Sequence, residues 1–484
     1  MESVGGQGGV LEGSRLRPVL YQWRVKRTID QMHFTSLHRL AVVLSVLSVA
    51  GCRKTPPVEE ISAPATGVSE ASPIDVSAED WAWWRGPNGN ATQPTMGAPT
   101  EFGPTQNVLW KAPVPGRGHA DPTVVGDRVF LATAEEDSNT QSVVCFDRHS
   151  GNQLWQQTLH QGGFEGNVHA KSTQASNTVA SDGQRLFVCL LNAGKIHLTC
   201  LDLEGSILWQ KMLGDFRSKF GYSASPVLHG SLVIVAADHS DGGFLAGVHR
   251  ESGDIVWKKA RPQESTYASP IVAHVAGKDQ VLIAGADQVA SYSPETGEQL
   301  WSCEGVTSSC VGTVVWDENN VFASGGYPGE ETICINASNG EPVWRNKQKV
   351  YISSLLAFDG LLFGHNDKGI AFCLDAATGE KKWQARLGGN HSASPVLIGQ
   401  HIYAASEEGV VTIFEPSGDG FEVVAKNDMG DEIMASPVAA YGNLFLRVAD
   451  HRGSGRQETL YCIGSGAGVT TFADADLAPS VDAE

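Results

Sequence analysis

The chain has 484 residues, with 54 acidic and 35 basic side chains and a formal net charge of −19. Proteins that bind nucleic acid present a basic surface to the phosphates, so this charge argues against DNA or RNA as a partner. A chain of this length is large enough to bury a substantial hydrophobic core.

The first 52 residues have the pattern of a leader followed by a lipoprotein signal. An apolar run over 40–51 follows the basic Arg39 and is too short to span a membrane. It ends in the tetrapeptide VAGC at 49–52, which resembles the bacterial lipobox, a signal whose cysteine becomes the lipidated first residue. We therefore expect lipidation at Cys52, a periplasmic or extracytoplasmic place in the cell envelope, and a translation start at Met32. An ordinary secretory signal is the alternative interpretation.

The next two segments differ sharply in composition. Residues 53–78 are rich in Pro, Ala, Ser and Glu and lack an apolar period, which predicts a disordered, flexible tether. Residues 79–106 form an extension that contains Trp81, Trp83 and Trp84. This cluster is either a ligand platform or, in the interpretation that we prefer, a plug on the outside of the folded domain that staples its N-terminal end.

A repeated motif runs through residues 107–463. A glycine and a tryptophan stand four residues apart in six places, and the tryptophans follow one another at intervals of 39 to 54 residues. The pairs are Gly151/Trp155, Gly205/Trp209, Gly253/Trp257, Gly297/Trp301, Gly340/Trp344 and Gly379/Trp383. Short alternating apolar runs with turn residues between them are typical of antiparallel strands. This period predicts an all-β fold, a β-propeller of four-stranded blades.

The strand pattern predicts eight blades, or seven if the irregular stretch 161–171 is only a loop. Residues 107–112 read as a fourth strand without its first three, whereas the last repeat, 434–462, has three strands without a fourth. We therefore expect the N-terminal strand to complete the last blade and close the ring. The recurrent tryptophans are predicted to dock on the next blade, with each indole N–H on a backbone carbonyl. The glycine-rich, then acidic residues 464–484 are predicted to be a disordered tail.

Compact catalytic and metal-binding motifs are missing from the sequence. It contains no CxxC, CxxCH, HExxH, Walker or GxSxG pattern, so we assign no catalytic residue and no metal ligand. The carboxylates of 238–243 fit an ordinary turn better than a calcium loop. Of the nine cysteines, Cys303 and Cys310 flank a strand connection, and we expect a disulfide between them in an oxidising compartment.

The residues that precede each first strand are predicted to face the central channel of the propeller. Several of them are polar or aromatic and could form a binding site for a ligand or cofactor. These weak candidates are Arg117, His119, Asp121, His169, Lys171, Tyr222, Tyr267, Tyr351 and His391. A hydrated channel wall is the interpretation that we prefer.

The Asp-x3-Gly-x3-Trp endings at 147–155 and 375–383 resemble the docking motif of pyrroloquinoline-quinone (PQQ)-type propeller repeats. The family includes quinoprotein alcohol dehydrogenases and BamB-like lipoproteins of the outer-membrane assembly machinery, and the WxWWRGP start at 81–87 looks like secreted planctomycete-type members. Its dehydrogenases imply PQQ and calcium as cofactors, held beside a vicinal cysteine pair. No two cysteines are adjacent in this chain, so no catalytic position carries over.

Three functions follow from this resemblance and from the residues. The first is a non-catalytic, lipid-anchored, monomeric scaffold that binds envelope or secreted proteins and needs no cofactor. The second is a PQQ- and calcium-dependent oxidoreductase. The third is an extracellular propeller that senses a ligand or carbohydrate, with Tyr222, Tyr267 and Tyr351 as stacking surfaces.

Overall fold

The computed structural model describes residues 58–166, 168–451 and 455–465, and these residues form eight antiparallel blades of four strands each. Strands β1 and β2 come before the first blade, at Thr92–Gln93 and Val108–Val114. Blade 1 contains β3 Thr123–Val125, β4 Arg128–Glu135, β5 Thr140–Asp147 and β6 Gln153–Gln161. Blade 2 contains β7 Ala180–Ser181, β8 Arg185–Asn192, β9 Lys195–Asp202 and β10 Ile207–Asp215.

The middle of the chain supplies the next three blades. Blade 3 contains β11 Val227–His229, β12 Leu232–Ala237, β13 Phe244–His249 and β14 Ile255–Ala260. Blade 4 contains β15 Ile271–Val275, β16 Lys278–Ala284, β17 Gln288–Tyr292 and β18 Gln299–Glu304. Blade 5 contains β19 Val315–Trp316, β20 Asn320–Gly325, β21 Glu331–Asn336 and β22 Pro342–Asn346.

The last three blades complete the ring. Blade 6 contains β23 Leu356–Phe358, β24 Leu361–His365, β25 Ile370–Asp375 and β26 Lys381–Arg386. Blade 7 contains β27 Val396–Ile398, β28 His401–Ala405, β29 Val410–Phe414 and β30 Val423–Asp428. Blade 8 contains β31 Val438–Ala440, β32 Asn443–Asp450 and β33 Gln457–Ile463, with β2 as its fourth strand.

The eight-bladed β-propeller predicted from the repeat is confirmed. First strands of neighbouring blades contact one another at the centre, as β3 does with β7 and β11 with β15. The second and third strands are almost entirely buried, whereas the fourth strands alternate between exposed and covered positions on the rim. The irregular second blade has all four strands, so the stretch 161–171 is a connection beside a complete blade.

Ring closure occurs as the truncated repeats predict. Strand β2 pairs antiparallel with β33, with Val108 opposite Ile463 and Trp110 opposite Cys462. The last blade is thereby completed by the first long strand of the chain. Because each blade then has a neighbour on both sides, the ring buries the sheet faces that a single blade leaves open.

Tryptophan docking links successive blades. The indole N–H of each docking tryptophan donates to a backbone carbonyl in the turn of the next blade, with N–O distances between 2.7 and 3.2 Å. The tryptophans are Trp110, Trp155, Trp209, Trp257, Trp301, Trp344 and Trp383. The same turn is capped by a short polar side chain, as when Asp147 accepts from the backbone N–H of Ser150 at 2.7 Å.

Residues 58–78 correct the expectation of a flexible tether. This segment lies in contact with the outer strands and turns of the propeller. Ile61 forms an antiparallel bridge with Lys258 on β14, with N–O distances of 2.9 and 2.8 Å. Ser72 donates its hydroxyl to Glu251 at 2.6 Å. Composition typical of a linker therefore coexists here with defined backbone pairing.

The tryptophan-rich extension does not lie on the outside of the domain, as the sequence analysis preferred. Trp81 bridges to Val124 in blade 1, and the Arg85 guanidinium donates to the carbonyl of Leu355 in blade 6 at 2.6 Å. Strand β1 then pairs in parallel with β27 of blade 7. Because these partners lie on different sides of the ring, residues 81–93 cross the channel at the far ends of the innermost strands.

The cysteines of the propeller are free thiols, so the predicted disulfide between Cys303 and Cys310 is wrong in this structure. Cys310 instead donates to the backbone carbonyl of Thr307, in its own blade-to-blade connection, at 3.5 Å. Several predictions concern residues outside the described part of the chain. These are the leader, the start at Met32, the lipobox with Cys52, residues 53–57 of the tether and the tail 466–484. Within the part that the structure describes, no helix is long and apolar enough to cross a membrane.

Candidate functional site at the mouth of the channel

A ring of seven hydrogen bonds joins the innermost residues of neighbouring blades. The backbone N–H of one residue donates to the side-chain oxygen of its equivalent in the neighbouring blade, at 2.7 to 3.3 Å. The members are Asp121, Thr178, Ser225, Ser269, Thr313, Ser354, Ser394 and Ser436. Small hydroxyl residues recur here because only a short side chain reaches the adjacent backbone at this radius.

The ring surrounds a cavity of about 500 Å³ at the N-terminal ends of the first strands. Its lining combines ring residues, the extension and the connections between blades. The lining includes Trp84, His119, Asp121, Lys171, Phe220, Ser225, Ser269, Tyr267, Tyr351, Ser394 and Ser436. A volume of this size lies in the range of small-molecule sites in proteins.

The extension supplies one side of the cavity. The indole N–H of Trp84 donates to Thr313 at 2.8 Å and takes the place of the backbone bond that the ring lacks between Ser269 and Thr313. Arg85, beside it, is only 2% exposed. This arrangement was not predicted from the sequence, because residues 81–93 reach the channel through a path that no repeat pattern indicates.

Asp121 is the ionisable member of the ring, because the other members are serines and threonines. Burial raises its pKa to about 7, although the Ser436 N–H donates to it at 2.7 Å and the Arg85 guanidinium attracts its charge. Burial lowers the pKa of Arg85 to about 9, against the opposing attraction of Asp121. The two groups therefore compensate one another within the channel instead of presenting a free charge to the cavity.

His119 lies in the cavity wall as a neutral imidazole. Burial, followed by the guanidinium groups of Arg117 and Arg447, lowers its pKa to about 3. Its Nε2 atom is buried and has no hydrogen-bond partner among the described residues. An unpartnered ring nitrogen of this kind has free hydrogen-bonding capacity in the cavity wall.

Aromatic rings form one arc of the mouth. Phe220 meets Tyr267 edge to face, with ring centroids 5.7 Å apart, and lies 5.2 Å from the ring of His169. Tyr351 continues the arc, 6.3 Å from Tyr327. The opposite arc is charged.

A salt bridge joins two distant parts of the mouth. The Lys171 ammonium, in the connection between blades 1 and 2, lies 2.6 Å from Glu407 in blade 7. Glu407 also accepts the hydroxyl of Ser392 at 2.6 Å. The only lysine in the lining is therefore neutralised by a carboxylate.

Six of the nine predicted channel residues line the cavity and three do not. His119, Asp121, His169, Lys171, Tyr267 and Tyr351 are in the lining. Arg117 lies outside, because its backbone bridges to Ala134 and its guanidinium turns to the carbonyl of Ala170. Tyr222 is a core residue whose hydroxyl donates to a backbone carbonyl within blade 3 at 2.8 Å. His391 packs against the ring of His365 instead, at 4.7 Å.

The comparisons with known proteins agree with this architecture. A family profile described as "Outer membrane protein assembly factor BamB" matches residues 139–385, just over half of the chain. The chain belongs to the BamB family.

Curated members cover most of this BamB-family chain. Outer membrane protein assembly factor BamB of Burkholderia pseudomallei strain K96243 is 27% identical over 371 residues, which cover 72% of this chain and 88% of that protein. The protein of the same name from Bordetella pertussis strain Tohama I is 24% identical over 361 residues, covering 70% of this chain and 83% of that protein.

Solved structures share the fold. BamB from Moraxella catarrhalis superposes with a TM-score of 0.54 at 16% identity, covering 74% of this chain and 99% of that one. A europium-containing methanol dehydrogenase superposes with a TM-score of 0.58 at 12% identity, covering 77% and 90%. At these identities the likeness concerns the propeller alone.

The cavity of this BamB-family propeller does not fit PQQ with calcium. Calcium requires several oxygen ligands, chiefly carboxylates and carbonyls. Asp121 is the one carboxylate in the lining, and it already accepts from Ser436 and faces Arg85. In the turn at 238–243, Asp238 is engaged as well, because it pairs with Arg261 at 2.7 Å. No group of three or more potential metal ligands occurs within the described residues.

Proposed function

We propose that this protein is a non-catalytic scaffold of the cell envelope, held at a membrane by a lipid on Cys52, that binds other envelope proteins. The observation that carries the proposal is the extent of the match: the alignment covers 88% of a curated protein named for outer-membrane protein assembly. The alignment of 371 residues is far longer than a single repeat.

The chemistry of the channel supports binding over bond breaking. His119 is neutral and has a pKa of about 3, far from the value that suits a base at neutral pH. Asp121 has a pKa of about 7, but its carboxylate accepts the Ser436 N–H at 2.7 Å and faces the Arg85 guanidinium. Lys171 is paired with Glu407. These two groups are thus held by structural partners.

The mouth face is the surface that we expect partners to contact. Tyr327 is 60% exposed, the highest value among the large apolar and aromatic side chains that are exposed in the described residues. It stands next to Tyr351 in the aromatic arc. Exposed tyrosines are enriched in protein interfaces, where they combine a large contact area with a polar hydroxyl.

Site-specific photo-crosslinking in living cells tests this proposal. A photoreactive phenylalanine analogue is placed at Tyr327 on the mouth face or at Leu154 on the outer strand of blade 1, which is 48% exposed. We expect covalent adducts with envelope proteins from position 327 and none from position 154. Adducts with cytoplasmic proteins alone, or no adduct from any position on the mouth face, would count against the scaffold.

The lipid anchor has its own test. The full-length variant Cys52→Ser should leave the membrane fraction and appear in the soluble extracytoplasmic fraction, because the lipobox cysteine carries the acyl chains. Cys303→Ser is the matched control: this cysteine is buried in β18, outside the lipobox, so the variant should remain with the membrane. If both variants stay in the membrane fraction, Cys52 is not the anchor.

A further inference from the structure

The cavity at the mouth carries hydroxyl donors that the protein itself does not use. Ser225, Ser269 and Ser394 each accept a backbone N–H through the side-chain oxygen, at 2.9 Å in all three cases. Their hydroxyl hydrogens have no acceptor within the described residues, although the three side chains are 95 to 97% buried and line the cavity. Buried hydroxyls of this kind are normally satisfied, so they favour a ligand with several acceptor oxygens.

The lining also offers flat apolar surface. Phe220, Tyr267 and Tyr351 line the mouth, and Trp84 lines the cavity from the extension. The edge-to-face contact of Phe220 with Tyr267 and the bond of the Tyr267 hydroxyl to Ser218, at 3.0 Å, hold this platform in place. The cavity therefore combines stacking faces with hydroxyl groups, which suits a ring that has an apolar face and a hydroxylated edge.

Charge narrows the class of ligand. Each charged group in the lining has a partner: Lys171 has Glu407, and Asp121 has Ser436 and Arg85. His119 is neutral, with an unpartnered Nε2. An anionic or cationic ligand would lose its hydration without gaining a counter-charge, so a neutral polar molecule is favoured.

Access is restricted to one end. Residues 81–93 cross the channel at the far ends of the first strands, where Trp81 bridges to Val124 and β1 pairs with β27. A ligand therefore enters and leaves at the mouth, and a long chain inserts only its terminal unit. The volume of about 500 Å³ fits one or two pyranose rings.

We propose that the mouth cavity binds a neutral saccharide of one or two rings, either free or as the terminal unit of a longer glycan. The ring stacks on Tyr267 and its neighbours, and its oxygens accept from Ser225, Ser269 and Ser394. This inference goes beyond the scaffold role, because it concerns a small ligand of the purified protein.

Isothermal titration calorimetry with the full chain tests the chemistry. The probes are maltose, cellobiose, lactose and N,N′-diacetylchitobiose, with cyclohexanol, glucuronate and inorganic phosphate as comparisons. We expect a dissociation constant below about 1 mM for at least one disaccharide and weaker binding of every comparison compound. Binding of cyclohexanol as tightly as the sugars, preferential binding of the anions, or no binding of any disaccharide at 10-fold higher concentration would overturn the proposal.

Serine variants distinguish a loss of ligand contacts from a loss of stability of the hydrogen-bonded ring. Ser394→Ala and Ser269→Ala should weaken the best disaccharide about tenfold, whereas Ser354→Ala should not. Ser354 is the matched control, because it accepts the Thr313 N–H at 3.0 Å in the same ring but lies outside the cavity lining. Equal effects of all three substitutions would mean that the hydroxyls act only through the fold.

The aromatic wall has a parallel pair of variants. Tyr267→Ala should weaken binding about tenfold, and Tyr351→Ala provides the second measurement if the first variant does not fold. Phe421→Ala, which lies outside the lining and packs on Trp383 with ring centroids 5.4 Å apart, should leave the affinity unchanged. Longer oligosaccharides that end in the same disaccharide then distinguish a free sugar from the terminal unit of a glycan as the ligand. Equal affinity per molecule indicates recognition of a terminal unit, whereas binding of the free disaccharide alone indicates a soluble sugar.

Discussion

Each glycine of the repeat allows the positive φ of its own turn and leaves room for the indole of the preceding blade. Gly297 has a φ of +68°, and a Cβ atom at this position would lie 2.4 Å from the indole of Trp257 in blade 3. The same relation joins Gly151 to Trp110 and Gly379 to Trp344. The fixed four-residue spacing within a blade thus places each tryptophan to cover the next glycine.

A pair of substitutions in blade 4 separates these two roles. Gly297→Ala and Gly277→Ala both force alanine into a positive φ, at a cost of about 1–2 kcal/mol. Only Gly297 has an indole in the way, which adds about 1–3 kcal/mol of overpacking. Urea unfolding should therefore show a clearly larger loss of unfolding free energy for Gly297→Ala. Equal losses would mean that the indole moves aside freely.

A buried histidine pair predicts acid sensitivity. Burial lowers the pKa of His391 to about 4 and that of His365 well below its ordinary value, so both are neutral in the folded protein. The unfolded chain takes up protons below about pH 6.5, so the stabilising contribution is complete above that pH and declines as the pH falls toward 4.

The variant His391→Gln tests this contribution. Between pH 7.5 and pH 5, His391 should account for a loss of about 2 kcal/mol in the free energy of unfolding, as measured by urea unfolding. His391→Gln should reduce this difference by a similar amount, whereas His274→Gln, at an exposed position, should not. An unchanged pH dependence in His391→Gln would show that other groups cause the acid loss.

Sequence and structure agree best where a residue type has one physical use. The docking tryptophans and their glycines were predictable because the motif sets both the turn and the contact. The roles of Trp84 and Arg85 were not, because they depend on where a segment without a repeat partner crosses the channel. Arg117 and Tyr222 were misplaced because the position ahead of a first strand does not determine which way the side chain turns.

At the scale of elements, the extension and the closing strand stabilise different parts of the propeller. Strand β2 supplies Trp110, which is 1% exposed and docks on blade 1, while residues 81–93 cover the end of the channel. The closing strand was predictable from the incomplete last repeat. The ordered path of 58–78 was not, because pairing such as that of Ile61 with Lys258 uses backbone groups that any composition offers.

Two shortened chains distinguish these contributions. A chain that begins at residue 107 keeps β2 and should remain a folded monomer of lower melting temperature. A chain that begins at residue 115 leaves the β33 edge unpaired and should elute as aggregate in size-exclusion chromatography. A synthetic peptide spanning 105–116 should restore monomer to the second chain. A monomeric second chain without the peptide would show that three strands suffice for blade 8.

At the scale of the whole molecule, the closed ring makes the blades depend on one another. Removing one docking contact exposes the faces of two neighbours, and each of these supports the next. The fold class followed from period and closure alone, whereas the cavity lining did not, because it collects side chains from connections whose lengths differ between blades.

Calorimetry of the variant Trp257→Ala measures this dependence. Loss of a fully buried tryptophan between blades 3 and 4 should cost about 3–5 kcal/mol. We expect one endotherm at lower temperature, because the ring unfolds as a unit. Two separate endotherms would indicate that groups of blades melt independently.

The pairing of β2 with β33 has a consequence for how the protein is made. A strand near the N-terminal end of the chain finds its partner only after residue 463 has been synthesised, roughly half a minute later at about 10 residues per second. Until then the chain cannot complete its final sheet, and a product cut short before Gln457, where β33 begins, never can. Ring closure is therefore a built-in check of full-length synthesis, which leaves truncated chains open to proteases.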